Sequence, residues 1–407
     1  MPLALHFHTM YCRLHRLVSP STVHIQNMPY IYGMKQIALL LLVVFALTTC
    51  TNGVDTNSKN NWELTGFVKV DSINPILQPT GNLAFHCPLQ NITTHWAERN
   101  VLNPAAVVRN DTVFLFFRAQ DANGTSRIGM ATSTDGLHFT PAAAPVFFPD
   151  SDSMKRYEWD GKRDSTGGAL CKTCFDGTED PRIVESGDGS YIMTYTAYDG
   201  KTARLAIASS NNLKTWTKHG LVLSGEKYNN QWSKSGAIVV KQSGTKMLAV
   251  KINGKYWMYF GDTDLFMASS DDLLHWTVAE NEESKKMIAV LHPRPGYFDS
   301  RLVEPGPYAL LKDEGILLIY NASNAANFND TALPQFTYAA AQALFDKSNP
   351  YKLIDRSETH FIHPDKAYEK VGEVNEVCFV EGLVFFKNKW FLYYGTADSK
   401  IAVAVKP

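Results

Sequence analysis

Short runs of alternating apolar and polar residues follow one another along most of the chain. They are rich in Val, Ile, Tyr, Phe and Trp and are bounded by Gly, Asp and Asn, which is typical of β-strands joined by tight turns. No convincing helix of 10 or more residues is predicted after residue 63. The clearest predicted strands are Val113–Phe117, Tyr191–Tyr195, Tyr256–Tyr259, Gly315–Tyr320 and Trp390–Tyr394. The pattern therefore predicts an all-β protein.

A motif recurs among these strands: a strand that ends in Ala-x-Ser, a polar turn with Asp or Asn, and a bulky ring followed by Thr. The matched alanines lie 60 to 77 residues apart, and such a repeat is typical of a β-propeller. The motif is complete in Ile128–Thr140, Leu205–Thr217 and Leu265–Thr277 and weaker in Tyr338–Pro350 and Ile401–Val405. We predict a single five-bladed propeller over residues 63–407, in which an N-terminal strand completes the last blade. A two-domain β-sandwich would explain the strands but not five copies.

The N-terminus resembles a sorting signal rather than part of a fold. The apolar run Ile37–Leu47 follows a lysine and leads to Cys50, as in a bacterial lipoprotein signal over residues 34–50. The run is too short to span a membrane comfortably. We expect a lipid anchor on Cys50 and an exported protein attached to a bacterial membrane. A plain signal peptide cleaved nearby is the alternative.

Two further N-terminal segments are set apart from the predicted domain. Residues 1–33 have no pattern of their own, and we interpret them as the product of a misassigned start, with Met34 the true start. Residues 51–62 are polar and are expected to form a tether.

The composition of the 407-residue chain is that of an ordinary globular protein, with 45% hydrophobic and 19% charged residues. Its net charge is −1 without a basic stripe, which excludes electrostatic binding of nucleic acid. Cys171 and Cys174 form a lone C-x-x-C that lacks the second pair of a zinc site, so we expect a disulfide staple or free thiols. His138 and His275 lie in the repeated turns and are expected to be structural. No metal or cofactor is predicted.

The densest group of ionisable residues is Glu179-Asp180-Pro181-Arg182, ahead of the predicted strand Ile192–Tyr198. Pro181 fixes its own φ and favours an extended Asp180. An acid held stiffly, with a guanidinium two residues further on, suits a general acid or a group that grips a sugar. The alternative is a solvated turn with a surface ion pair.

Loops from every blade of a propeller meet at its central channel, so a site there draws polar residues from distant parts of the chain. Arg118 interrupts an apolar run, and a charge at the end of a buried strand is paired or functional. Comparable residues occur in each predicted blade. They are Asn103 and Arg118, then Glu179 to Arg182, then Trp232 to Lys234, then Arg301 and Glu304, and finally Glu376, Glu381 and Asp398.

These motifs resemble glycoside hydrolase family 130. The resemblance covers residues 100–404 and rests on Asn103-Pro-Ala, Arg118-Ala, Gly177-x-Glu-Asp-Pro-Arg-Ile183, the repeats, Tyr368-Glu-x-x-Gly372 and Tyr393-Tyr-Gly-x-Ala-Asp398. It implies a five-bladed propeller that acts on β-mannosides, either as a phosphorylase or as an inverting mannosidase. It also implies that Asp180 is the general acid, acting through the 3-hydroxyl of the sugar. Asn103, Arg118 and Asp398 would then grip the terminal mannose.

The chain departs from the phosphorylases of that family where they bind phosphate. It has Phe260-Gly261 where they carry an Arg, and Asn321 where they carry a His after Leu-x-Ile-Tyr. Arginine forks and cationic charge recognise phosphate, so both changes weaken the case for a phosphorylase. Glu304 near that place would repel phosphate and could deprotonate water, although Lys234 and Arg301 remain basic.

Three functions follow from this pattern. The leading hypothesis is an exo-acting inverting β-mannosidase with Asp180 as acid and Glu304 as base, with Glu381 and Glu376 as alternative bases. The second is a β-mannoside phosphorylase that releases mannose 1-phosphate. The third is a non-catalytic, lipid-anchored propeller that binds glycans. In each, an oligosaccharide is the partner, and the expected substrate contacts include Glu179, Arg182, Lys234, Arg301 and Glu381.

Overall fold

The computed structural model describes residues 62–161 and 175–407. The predictions for residues 1–33, 34–50 and 51–61, for the lipid anchor on Cys50 and for the Cys171–Cys174 pair concern residues outside these ranges. The predicted tether is one residue too long, because Trp62 is buried and donates its indole N–H to Asp355 Oδ2 at 2.9 Å. Between residues 62 and 407, the described helices are too short to cross a membrane.

The first group of strands follows a short N-terminal region. That region contains β1 (Val68–Lys69) and a hairpin of β2 (Ala84–Cys87) and β3 (Ile92–His95). The first group itself is β4 (Asn100–Arg109), β5 (Thr112–Gln120), β6 (Thr125–Ser133) and β7 (Thr140–Pro141). Each strand is antiparallel to the next, as tight turns between successive strands require.

The second group follows helix α1 (Lys155–Glu158). It consists of β8 (Asp176–Glu185), β9 (Tyr191–Tyr198), β10 (Ala203–Ser210) and β11 (Thr217–Leu221). The third group consists of β12 (Ala237–Ser243), β13 (Lys246–Ala249), β14 (Tyr256–Phe260), β15 (Leu265–Ser270), β16 (Trp276–Val278) and β17 (Ala289–Leu291). Both groups repeat the antiparallel order of the first.

The fourth group consists of β18 (Leu302–Pro305), β19 (Ala309–Leu311), β20 (Ile316–Ser323), β21 (Tyr338–Phe345) and β22 (Leu353–Arg356). Helix α2 (Ala367–Lys370) leads to the fifth group, which is β23 (Cys378–Phe386), β24 (Lys389–Thr396) and β25 (Lys400–Lys406). Strand β1 pairs antiparallel with β25, so an N-terminal strand completes the last group as predicted. The prediction of an all-β fold is confirmed.

The repeated alanines occupy one equivalent position in the five groups. All five have no exposed surface, and they lie in the third strand of the first, second and fifth groups and in the fourth strand of the third and fourth groups. They are Ala131 in β6, Ala208 in β10, Ala268 in β15, Ala341 in β21 and Ala404 in β25. A small residue is needed there because larger residues from the neighbouring strands fill the core on both sides.

The polar part of the repeat is a hydrogen-bonded turn. In the third copy, Ser270 Oγ accepts the Leu273 N–H at 2.9 Å, and Asp272 Oδ1 accepts the His275 N–H at 2.8 Å. The imidazole of His275 also lies 2.7 Å from Asp272 Oδ2. His138 makes the same contact with Asp135 at 2.8 Å in the first copy. These contacts agree with the prediction that the two histidines are structural.

Strand β8, the first of the second group, carries many buried polar residues. Every residue of β8 is buried, although six of its ten positions are ionisable or hydroxyl-bearing. This strand runs parallel to β6 through the pairs Thr125 with Asp176 and Ser126 with Gly177. A buried polar residue without a partner is unstable, so the partners of these side chains define the site.

Candidate active site

Two strained residues, one on each of two neighbouring first strands, bring the first pair of site residues together. Asn103 has a φ of 48° and lies at a β-bulge in β4, and Asp180 has the same φ at a bulge in β8. Asn103 donates from Nδ2 to Asp180 Oδ1 at 2.8 Å. Positive φ is costly for these residues, and such strain is concentrated at functional sites. The expectation of an extended Asp180 before Pro181 was wrong, because the bulge turns this residue into the left-handed region.

Arg118 connects the two carboxylates of the E-D-P-R motif. Its guanidinium lies 2.7 Å from Glu179 Oε1 and 3.4 Å from Asp180 Oδ1. Its Nε donates to Ser126 Oγ at 3.0 Å, and Ser126 in turn donates to Glu179 Oε1 at 2.9 Å. Arg118 therefore lies beside the first two carboxylates, as the sequence predicted for a paired charge at the end of a buried strand.

The neighbouring charges separate the pKa values of the carboxyl groups around Arg118. Burial raises the pKa of Asp180, but Arg118, Lys234 and the hydrogen bond from Asn103 outweigh burial, so that the net pKa is lowered. Burial raises the pKa of Glu179 to about 7 despite the contact with Arg118. Burial also raises the pKa of Asp398 to about 6, against the effect of Arg118 and with the help of the charge on Asp180.

Glu304 lies in a second part of the site. It is 2% exposed in β18, accepts a hydrogen bond from Ser235 Oγ and lies 3.2 Å from Lys234 Nζ. Burial raises the pKa of Glu304, and Lys234 opposes this effect only in part. Burial lowers the pKa of Lys234, but Glu304, Asp262 and Asp180 outweigh it, so that the net pKa is raised and the amine stays charged. Lys234 therefore acts electrostatically on both Asp180 and Glu304.

Arg182 and Glu381 have partners within the protein instead of an open face toward substrate. Arg182 donates to the carbonyl oxygens of Gly306 and Pro305, both at 2.7 Å, and to that of Asp180 at 3.3 Å. It also lies 2.6 Å from Glu381 Oε1, and the Glu381 side chain has no exposed surface. The sequence assigned both residues to substrate. In the structure, Arg182 links the backbone of β8 at Asp180 to the backbone of β18 at Pro305.

Glu381 is buried in an unusual state. Although Arg182 lies close to it, neither carboxylate oxygen has a hydrogen-bond donor among the described residues. Burial raises the pKa of Glu381 well above its usual range, against Arg182 and with the help of the charges on Asp180 and Glu304. A protonated carboxyl in this position avoids a second buried negative charge between two others.

The remaining candidates lie nearer the surface. Arg301 is exposed, with its guanidinium 5.2 Å from the ring of Phe336 and 3.4 Å from Ser323 Oγ. Glu376 has a φ of 58°, and its carbonyl accepts the Tyr338 N–H at 2.8 Å. This backbone contact does not involve the Asp180 or Glu304 carboxylate, so the geometry supports Glu376 less than Glu304 as a base.

Sequence reasoning missed two polar residues of the site. Ser235 has a φ of 61° and donates to Glu304, and only its position directly after Lys234 indicated it. The pKa of Tyr338 is raised by burial first and then by Glu304, with Lys234 and Arg301 opposing, so its hydroxyl belongs to the same electrostatic group. Tyr338 opens the fourth copy of the repeat, which gives no reason to expect a functional role.

The positions that differ from the phosphorylases now have a structural explanation. Asn321 lies directly opposite Glu304 in the β18–β20 pair and has no exposed surface. Its Nδ2 donates to the Val380 carbonyl at 2.9 Å and its Oδ1 accepts the Val380 N–H at 2.7 Å. Gly261 has a φ of 130°, and a side chain there would lie 2.2 Å from the Asp264 carbonyl. Both positions therefore serve the backbone, and neither supplies a cation.

The described residues contain no cluster of three or more His, Cys, Asp or Glu side chains that could hold a metal ion. The site is instead a set of carboxyl groups held by Arg118, Lys234 and Arg182. Such a site can donate and accept protons and can bind hydroxyl groups, which is the chemistry used on glycosidic bonds.

Comparisons with known proteins agree with this class. The family model described as beta-1,4-mannooligosaccharide phosphorylase matches residues 69–407. A 1,2-beta-oligomannan phosphorylase of Thermoanaerobacter sp. (strain X514) is 29% identical over 76% of this chain and 90% of its own length. The fold and the site therefore define a carbohydrate-active enzyme of the mannoside class.

Solved structures give a closer likeness. A glycosyl hydrolase from Bacteroides ovatus is 42% identical, with a TM-score of 0.79, over 84% of this chain and 94% of that chain. A second structure is 40% identical, with the same TM-score, over 85% and 94%. It is described as showing that the GH130 family of mannoside phosphorylases contains glycoside hydrolases that target beta-1,2 mannosidic linkages in Candida mannan. The chain belongs to glycoside hydrolase family 130.

Proposed function

We propose that the protein is an exo-acting, inverting glycoside hydrolase that removes terminal β-linked mannose. The observation that carries this proposal is the position of Asp180 and Glu304 around Arg182. One guanidinium binds the carbonyl of Asp180 and that of Pro305, the residue after Glu304. The two carboxylates then point to different partners, Asn103 for Asp180 and Ser235 for Glu304. An inverting hydrolase needs such a pair, fixed but apart, with water between them.

In this proposal Asp180 is the general acid and Glu304 is the base that activates water. Asn103, Arg118 and Asp398 hold the terminal mannose. The reaction needs Asp180 protonated and Glu304 ionised. In the free protein, however, the pKa of Asp180 is lowered and the pKa of Glu304 is raised. The reactive form, with Asp180 protonated and Glu304 ionised, is therefore a minor form before the sugar binds. Contacts between sugar hydroxyls and Arg118 would increase the population of this reactive form.

The five antiparallel groups support a five-bladed propeller as the architecture. Their equivalent alanines, the pairing of β1 with β25 and the convergence of first-strand residues on one site all fit this arrangement. We also propose export and a lipid anchor on Cys50, on the basis of the sequence over residues 34–50.

A phosphorylase is the second candidate, and the named curated relatives favour it. The four relatives, 24% to 29% identical, are all phosphorylases. Lys234 also supplies a cation in the site. Against this, Lys234 is already paired with Glu304. Repulsion between a phosphate dianion and that carboxylate also costs several kcal/mol at an effective dielectric of about 20. The relatives at about 40% identity have names of hydrolases or glycosidases.

The deciding experiment is product analysis on β-1,2- and β-1,4-mannobiose, with and without phosphate. We expect free mannose at a rate that does not depend on phosphate. The β-1,2 linkage is expected to be the better substrate, because three of the four curated relatives and one structure of the family's hydrolases are named for it. Mannose 1-phosphate that increases with phosphate would establish the phosphorylase. Saturable binding without either product would leave a glycan-binding protein.

A further inference from the structure

Trp232 is an exposed aromatic residue beside the candidate site that the proposed mechanism does not use. It is 46% exposed, whereas most large aromatic side chains of the described residues are buried or half-buried. Its backbone position is two residues before Lys234 and three before Ser235, both of which hold Glu304. A large apolar ring that stays in solvent next to a catalytic pair requires an explanation.

The indole is held in one orientation although it is exposed. Its N–H donates to Asp262 Oδ2 at 2.6 Å, and Asp262 lies 4.0 Å from Lys234 Nζ. On its other side the ring contacts Tyr198, with centroids 6.3 Å apart and planes at 70°. Two independent contacts therefore fix the ring before any ligand binds, which reduces the entropy lost on binding.

The same aromatic pair also borders the acid side of the site. The pKa of Tyr198 is raised by burial first and then by Glu179, with Arg118 acting in the opposite direction. Tyr198 lies opposite Gly177 in the β8–β9 pair, two residues before Glu179 along β8, and Trp232 lies two residues before Lys234. The pair therefore connects the strand that carries Glu179 and Asp180 with the segment that carries Lys234 and Ser235, and Trp232 is its exposed member.

We propose that Trp232, supported by Tyr198 and Asp262, is a binding platform for the sugar on the leaving-group side of the scissile bond. The proposal rests on the function above, in which Asn103, Arg118 and Asp398 hold the terminal mannose. The next sugar of the bound substrate must then extend toward solvent, where Trp232 is exposed. The C–H face of a pyranose ring packs on an exposed aromatic ring, which is the usual apolar contact in a polar sugar site.

The test compares a ligand that reaches the platform with one that does not. Mannose fills only the terminal position, and β-1,2-mannobiose extends one sugar further. Binding of both is measured by titration calorimetry in proteins that also carry Asp180→Asn to slow turnover. Trp232→Ala is expected to lower the affinity for mannobiose about tenfold, as truncation of an aromatic anchor does, and to leave the affinity for mannose unchanged. Trp232→Phe keeps a ring and is expected to stay within about threefold of wild type.

Tyr351→Ala is the matched control. Tyr351 is 36% exposed and makes a comparable edge contact with Trp257, at 5.4 Å between centroids. It is expected to change neither affinity, and thermal unfolding of each variant checks the fold. Equal affinity of Trp232→Ala and wild type for mannobiose, or equal weakening for both sugars, would overturn the platform.

The outcomes separate the platform from the reaction. If mannose 1-phosphate is the product but Trp232→Ala still lowers only the affinity for mannobiose, the hydrolase proposal fails and the platform proposal stands. If Asp180→Asn turns over normally, the acid assignment fails, and the KM of the wild-type and Trp232→Ala enzymes for mannobiose gives the same comparison. No binding of mannobiose by the wild-type protein would overturn both proposals.

Discussion

Replacement of Glu381 by glutamine tests the electrostatics of the whole site. The carboxyl has no exposed side-chain surface, lacks hydrogen-bond donors within the described residues and has a pKa well above its usual range because of burial. Glutamine has nearly the same shape and is neutral, so it copies the protonated form. Arg182 also donates hydrogen bonds to three backbone carbonyls, so its guanidinium keeps partners when Glu381 is replaced.

The effect on stability depends on pH in a fixed direction. An acid with a raised pKa binds its proton more tightly in the folded state, so wild-type stability falls as pH rises from the unfolded pKa, about 4.3, toward the folded pKa. Within that window the slope is about 1.4 kcal/mol per pH unit for one proton. Glu381→Gln removes this slope. The variant is expected to match wild type near pH 4 and to become progressively more stable than wild type above pH 5.

The assay is chemical denaturation of both proteins at several values between pH 4 and pH 8. Glu373→Gln is the control with the opposite sign, because its hydrogen bond from Arg99 lowers the pKa of Glu373. That contribution is present above the unfolded pKa and is lost as pH falls, so the control differs from wild type mainly at neutral pH and converges with it in acid. Parallel stability curves for wild type and Glu381→Gln would refute the reasoning and show that Glu381 is ionised.

Three further predictions concern function and export. Asp180→Asn is expected to reduce turnover by about 10²- to 10⁴-fold with the fold intact, because it removes the proposed proton donor; activity within a few-fold of wild type would exclude this role. Glu304→Gln is expected to stop hydrolysis, with partial rescue by azide to an α-configured product, and a silent substitution would transfer the role of base to Glu381 or Glu376. Cys50→Ala in the full precursor is expected to release the protein from membranes in a fractionation assay, and continued retention would exclude the lipid anchor.

The strands could be predicted from the sequence because their pattern is local. Alternation, turn residues and the Ala-x-Ser repeat each depend on a few neighbouring residues, and the burial of all five repeated alanines agrees with that interpretation. The expectation of an extended Asp180 failed for the opposite reason. Its φ of 48° depends on a bulge where β8 pairs with β9, and no local rule gives that register.

The site could be predicted only as a set of residue types. A charge that interrupts an apolar run identified Arg118, because a buried charge must be paired or functional, and Glu304 was identified from the polar residues of the fourth predicted blade. Their partners could not be derived in the same way. Arg182 and Glu381 were expected to face the substrate, but they lie together at 2.6 Å because strands far apart in the sequence meet there. Ser235 was missed because a serine in a loop carries no signal until its neighbour in space is known.

Asn321, which stands where the resemblance implies a His in the phosphorylases, is part of a linked arrangement. Asn321 lies opposite Glu304 and makes two hydrogen bonds to the backbone of Val380, next to Glu381. A histidine there cannot make both bonds, and each unpaired buried backbone group costs about 1–3 kcal/mol. We therefore expect Asn321→His to lower the unfolding temperature without any mannose 1-phosphate, whereas Asn253→His, at an exposed Asn bonded to the Ser348 carbonyl, is expected to be nearly neutral. A stable Asn321→His enzyme that forms mannose 1-phosphate would contradict this, because it would mean that one side chain alone separates the two reactions.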